Sequence, residues 1–147
     1  MNNILFSSKT DLWETPKELF GSLQKEFIFD LDVCALPYNS KCLAFYDPND
    51  DGLKQWWGVK NFWWCNPPFG RSVGRWVERG YFFHTLGFRG VMLLPARTDT
   101  KWFHDYIYKK DNIEIRFIKG RLKFGNAKYN APFPCMLVIF WGKDGSK

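Results

Sequence analysis

Residues 62–70 read Phe62-Trp63-Trp64-Cys65-Asn66-Pro67-Pro68-Phe69-Gly70. The aromatic run has strand character, and two consecutive prolines stop it, because neither has an N–H to give to a sheet ladder. The strand is therefore predicted to end in a rigid corner bearing one amide side chain and one ring. Asn66 carries two donors and an acceptor, and the Pro-Pro pair leaves carbonyls without competing amides. The Asn66 side-chain oxygen and the Pro67 carbonyl can converge on a single NH2 group. Phe69, held beside them, offers a flat face to a heteroaromatic ring.

Upstream of this corner, Thr15 to Phe27 reads as a helix. Thr15 and Glu18 have capping-box spacing, Pro16 stands at the first helical position, and Leu19, Phe20, Leu23 and Phe27 share one face. Phe29, Leu31 and Val33 then alternate with Asp30 and Asp32, a strand that opens into the turn Leu36-Pro37-Tyr38-Asn39. Lys41 to Tyr46 suggests a short second strand. The turn Asp47-Pro48-Asn49-Asp50-Asp51-Gly52 follows, and Leu53 to Trp57 suggests a helical turn.

Downstream, Ser72 to Leu86 repeats apolar residues at helical spacing, and Gly90 to Pro95 is a continuous apolar run of the buried parallel-strand kind. Lys101 to Tyr108 returns to helix, with Asp99 or Thr100 as its cap. Ile113 to Ile118 alternates, residues 120–134 form a glycine-rich loop or hairpin, and Met136 to Trp141 is a last apolar strand, the final strands being expected to close an edge. Strands alternating with helices predict an α/β fold with a mostly parallel sheet. Ligands bind beyond the carboxyl ends of such strands, where Asp32, Asn66 and Arg97 all fall.

At 147 residues, with 46% apolar and 20% aromatic content, the chain is predicted to form a single folded domain over 1–147. Residues 1–11 show no signal core and no apolar run reaches a membrane span, so a cytoplasmic, membrane-free protein is expected. Cys34, Cys42, Cys65 and Cys135 are widely spaced, with only two histidines to join them, which points to reduced core thiols and no metal. His84 and His104 read as structural or surface residues. The charge is uneven: residues 1–88 carry a net −1 and residues 89–128 a net +6. There Arg97, Lys101, Arg116, Lys119, Arg121 and Lys123 interleave with Trp102, Phe103, Phe117 and Phe124, a pattern suited to a polyanion with bases to stack.

The corner Asn66-Pro67-Pro68-Phe69 resembles the [DNS]-P-P-[YF] signature of amino methyltransferases. More broadly, the chain is similar to the small phage-type DNA adenine-N6 methyltransferases. Trp13-Glu14-Thr15-Pro16, Phe29 to Ala35 (FDLDVCA), Asp50-Asp51-Gly52-Leu53 and Asn66 to Phe69 carry the likeness in that order, with Leu94 to Thr100 and Gly120 to Phe124 following. No Gly-x-Gly follows the first strand, so the likeness is to the phage-type pattern rather than to the broader methyltransferase one. The segment from Asp32 to Asn66 is also short for a full set of strands, so one strand is expected to be missing or reduced to a turn.

The resemblance implies a compact, Rossmann-like SAM-dependent methyltransferase fold, with helices on both faces of the sheet and S-adenosylmethionine (SAM) as methyl donor. It implies that Asn66, Pro67, Pro68 and Phe69 are catalytic. Thr15 and Pro16 would lie near the methionine end of the cofactor, Trp13 would also bind it, and Asp32, Cys34 and Ala35 would form the first cofactor loop. Asp50 or Asp51 would meet the ribose or adenine, and Asn66 would border the donor. Arg97, Thr98, Asp99 and Thr100 are the candidates for the base pocket or nucleic-acid entrance, Lys101 for nucleic-acid binding, and Arg121 and Lys123 for phosphate contacts. The expected substrate is DNA, with any sequence specificity borne by loops.

Three other readings stand beside this one. RNA or a protein glutamine amide could be the acceptor, and a fold that has lost catalysis could still bind nucleic acid. Pro134-Cys135 has the form of a cytosine-C5 nucleophile, but it opens a predicted apolar strand, and Cys135 reads as core.

Overall fold

The computed structural model describes residues 13–143, so the reading of residues 1–11 lies outside the described residues. Its elements are α1 (Lys17–Gln24), β1 (Phe29–Asp32), a 3-10 turn (Gly52–Lys54), β2 (Phe62–Cys65), α2 (Val73–Thr85), β3 (Arg89–Pro95), α3 (Lys101–Tyr106), β4 (Ile113–Phe117) and β5 (Cys135–Phe140). One five-stranded sheet runs in the order β1-β2-β3-β5-β4. β1, β2 and β3 are mutually parallel, and β5 lies antiparallel between β3 and β4.

The side-chain alternation of β2 sorts the helices onto the two faces. Trp64 meets Phe20 of α1 edge-on at 5.0 Å, and Phe62 meets Phe27, just beyond α1, at 4.9 Å. Trp63 points the other way, where a Cβ on Gly80 of α2 would come within 3.0 Å of its ring. It also lies over Gly90 of β3, where a Cβ would fall 1.9 Å from the indole, so this packing requires a glycine. A continuous core of Trp57, Trp63, Trp64, Phe83, Leu93, Ile139 and their neighbours fills both sides of the sheet.

The final strands, β5 and β4, close one end of the sheet as expected. Every residue of β5 is buried, and a strand apolar on both faces needs a neighbour on each side, so the outermost place falls to β4, whose Ile113, Glu114, Ile115 and Arg116 are only partly buried. Three expectations are corrected. Lys41 to Tyr46 forms no strand but a single bridge between Asp32 and Phe45, because Leu43 is fully exposed and has nothing to pack on. Of Leu53 to Trp57, only the start is helical. α1 begins at Lys17 with Pro16 as its cap and no side-chain capping bond, so Thr15 and Glu18 form no capping box.

Candidate functional site

β1 and β2 lie side by side and point the same way, so Asp32 and Asn66 emerge next to each other at their carboxyl ends. A cavity of about 490 Å³ opens there. Asp32 organises its floor. One carboxylate oxygen accepts the Cys34 N–H at 3.2 Å and the other accepts the Lys41 N–H at 2.9 Å. The Asp32 main chain holds Ala44 and Tyr46. Burial pushes the Asp32 carboxyl up to about 7, against the pull of those two N–H groups and of the Lys41 charge. Val33 to Leu36, the loop it ties down, lines the cavity, with Cys34 and Ala35 on the wall.

The Asn66 amide is fixed from the opposite side. Its Nδ2 donates to the Trp13 carbonyl and, at 2.8 Å, to Thr15 Oγ1. A carbonyl only accepts, so the NH2 end must face Trp13, which sets the orientation of the amide. The other end, Oδ1, is buried and has no hydrogen-bond partner among the described residues. Pro67 and Pro68 continue along the wall, as do Trp13 and Thr15, whereas Pro16 does not.

The acidic turn separates its two aspartates. Asp50 Oδ2 accepts the Asp47 N–H at 2.9 Å, and Asp50 is not on the wall. Asp51, with φ 60°, lines the cavity, and its Oδ1 accepts the Leu53 N–H. Gly52 seats this turn on the exit of β1, since a Cβ there would come 2.1 Å from the Val33 carbonyl oxygen.

A family model described as DNA N-6-adenine-methyltransferase (Dam) matches residues 3–143. The chain belongs to the Dam family. It is similar to the DNA N-6-adenine-methyltransferase of Escherichia phage T1, at 36% identity over 116 residues, which cover 76% of this chain and 46% of the phage T1 protein. The chain thus aligns with about half the length of that relative. It is also similar to the DNA N-6-adenine-methyltransferase of Haemophilus phage HP1 (strain HP1c1), at 31% identity over 141 residues, covering 90% of this chain and 80% of that protein.

In this Dam-family chain, Phe69 is buried and meets Phe124 and Phe133 edge-on at 5.8 and 5.7 Å. Trp13 completes the cluster, 5.4 Å from Phe124 and 5.6 Å from Phe133. Phe124 and Phe133 belong to the loop between β4 and β5, which is laced to the chain ahead of α1. Gly125 N–H donates to the Glu14 carbonyl at 2.8 Å, and Glu14 N–H donates to Asn126 Oδ1 at 2.8 Å. Asn126 thereby reaches the cavity wall. Sequence reasoning missed it, as it missed Lys41, Tyr46, Ser72 and Trp76, also on the wall, because no local pattern marks any of them.

The candidate nucleic-acid residues are not on the cavity wall. Arg97, just past β3, is exposed, with its guanidinium 5.8 Å from the Phe133 ring. Thr98 gives its carbonyl to His104 Nε2 at 2.8 Å, and Lys101 pairs with Asp105. Arg121 and Lys123 stand exposed on the β4–β5 loop. Arg116, counted above among the polyanion-facing cations, is instead engaged: it forks onto both Glu26 oxygens at 2.7 Å and bonds Glu114 at 2.6 Å.

Cys135 is buried at the start of β5 opposite Pro95, off the cavity wall, and burial pushes its thiol up to about 11. It does not supply the thiolate that a cytosine-C5 nucleophile needs. His84 is likewise structural, buried with Nδ1 2.7 Å from the Trp141 carbonyl oxygen. Among the described residues, no group of three or more His, Cys, Asp or Glu is arranged to hold a metal ion, and no helix is long and apolar enough to cross a membrane.

Proposed function

We propose that this chain is an enzyme, a single methyltransferase domain that transfers a methyl group from SAM to the N6 amino group of adenine in DNA. In this reading the Asn66 side-chain oxygen is the acceptor that holds the amine. One observation carries it: Asn66 has both N–H donors committed, while its oxygen is buried and unpartnered beside a cavity. A buried acceptor left unpaired is unfavourable in the resting protein, and a ligand N–H relieves that cost.

The exocyclic nitrogen of adenine is a weak nucleophile because its lone pair is delocalised into the ring. Two acceptors on its hydrogens, Asn66 Oδ1 and the Pro67 carbonyl, favour the pyramidal nitrogen whose lone pair is free to attack. The rigid proline pair keeps both acceptors in place while this happens. The proton lost from nitrogen passes to water, so no histidine base is needed. In a duplex the base must leave the stack to reach this corner, where Phe69 and Phe124 are buried and Phe133, packed edge-on against Phe69, is the partly exposed ring of the cluster.

The cavity fits the donor. Its volume of about 490 Å³ lies within the usual range for small-molecule sites of about 300–1,000 Å³. Asp51 is placed to accept from a ribose hydroxyl or an adenine amine, and the loop tied by Asp32 supplies the facing wall. SAM, when bound, supplies a methyl group already activated by a positive sulfur. Three parallel strands, with helices on either face and a cavity at their carboxyl ends, support the Rossmann-like reading of the fold.

Arg97, Arg121 and Lys123, all exposed, are the proposed contacts to DNA phosphates. Both phage relatives are named for DNA adenine methylation, which favours DNA over RNA or a protein amide. The setting is then the cytoplasm of a host cell. The test is incubation of the protein with labelled SAM and unmethylated DNA, with RNA in parallel, followed by mass analysis of the nucleosides. N6-methyladenine in DNA is expected. Label in RNA alone, or in neither polymer, would overturn the proposal.

A further inference from the structure

We infer that Thr15 is a positioning residue for Asn66: its hydroxyl holds the second N–H of an amide whose direction the Trp13 carbonyl sets, and it affects methyl transfer through that amide rather than by holding the methyl donor. The inference rests on the reading of Asn66 as the amine acceptor. An asparagine amide turned by half a rotation has nearly the same shape but exchanges its donors and its acceptor. Only one orientation can receive an amine, because the other would set NH2 against NH2.

The Trp13 carbonyl and Thr15 Oγ1 both accept from Asn66 Nδ2, so together they occupy its two hydrogens and leave only the oxygen unspent. Thr15 is 3% exposed, and its hydroxyl is not consumed by α1, whose cap is Pro16 and which shows no side-chain capping bond. A threonine in the place of a helix cap has instead turned its oxygen to a residue 51 positions away. Thr15 lies on the same cavity wall as Asn66, so a role in donor binding is the competing reading.

The two readings predict different kinetics. Thr15→Val keeps the shape and removes the hydroxyl, while Thr15→Ser keeps the hydroxyl. With unmethylated DNA and saturating SAM, Thr15→Val is expected to lower kcat by about tenfold and to leave the SAM dissociation constant within about twofold, with Thr15→Ser restoring kcat. Thr15→Ala carries the same expectation should the valine variant fail to fold. Weakened SAM binding with kcat unchanged at saturation would make Thr15 a donor contact and overturn the inference. So would a valine variant equal to wild type in both quantities. A wild-type protein that methylates no DNA would instead overturn the reading of Asn66 on which the inference stands.

Discussion

The side-chain oxygen of Asn126 accepts the backbone N–H of Glu14 at 2.8 Å, across 112 positions of chain. With the reciprocal bond from Gly125 N–H to the Glu14 carbonyl, it fastens the β4–β5 loop to the segment that presents Trp13 and Thr15 to Asn66. Asn126→Ala removes a bond worth about 1 kcal/mol, so amide exchange at residues 124–127 should quicken by about fivefold and the melting temperature should fall by about 2–5 °C. Exchange followed by mass spectrometry reads this directly, and unchanged protection in that loop would contradict it.

The two aspartates of the acidic turn should separate in donor binding. Asp51 lines the cavity and Asp50 completes the turn. Asp51→Ala is expected to weaken SAM by about tenfold, the scale of a lost hydrogen bond to a charged acceptor. Asp50→Ala should act mainly on stability. Calorimetric titration of both variants decides the matter, and equal losses of affinity would refute the assignment.

Asp32 predicts a pH dependence of stability. Its carboxyl is raised from 3.8 to about 7 by burial, so between these values the folded protein holds a proton that the unfolded chain has released. Its contribution to stability is therefore greatest at low pH, falls as pH rises towards 7, and is level above that. Asn at this position does not titrate. The stability advantage of wild type over Asp32→Asn, read from paired thermal melts, should shrink between pH 5 and pH 8. An advantage that grows with pH would mean the carboxylate is held ionised.

Two glycines should respond in opposite directions. Gly90→Ala places a methyl inside the Trp63 ring and should cost about 1–3 kcal/mol or more. Gly21, within α1, has nothing within 4 Å of an added Cβ, so Gly21→Ala should gain about 0.5–1 kcal/mol from helix propensity. Denaturant midpoints measure both.

Much of this architecture is legible locally. Phe62 to Cys65 is a strand because aromatics precede two residues that cannot donate to a ladder, and its observed limits match that reading. β1 and β3 follow from alternation and from a continuous apolar run in the same way. What escapes local reading depends on partners far along the chain. Thr15 and Glu18 have the spacing of a capping box, but the Thr15 hydroxyl goes to Asn66, and no periodicity encodes that exchange. Arg116 looks like a free cation until folding brings Glu26 to it from 90 positions away. Asn126 sits in a glycine-rich loop without any pattern, and only the closure of that loop onto Glu14 brings it to the cavity.

In the proposed reaction the unpartnered oxygen of Asn66 receives the adenine amine. Single-turnover methyl transfer to DNA by wild type and Asn66→Ala, with SAM affinity measured on the same preparations, tests it most directly. A fall in rate of about 10²–10³ or more is expected, with SAM binding changed far less. Transfer by Asn66→Ala at the wild-type rate would contradict it.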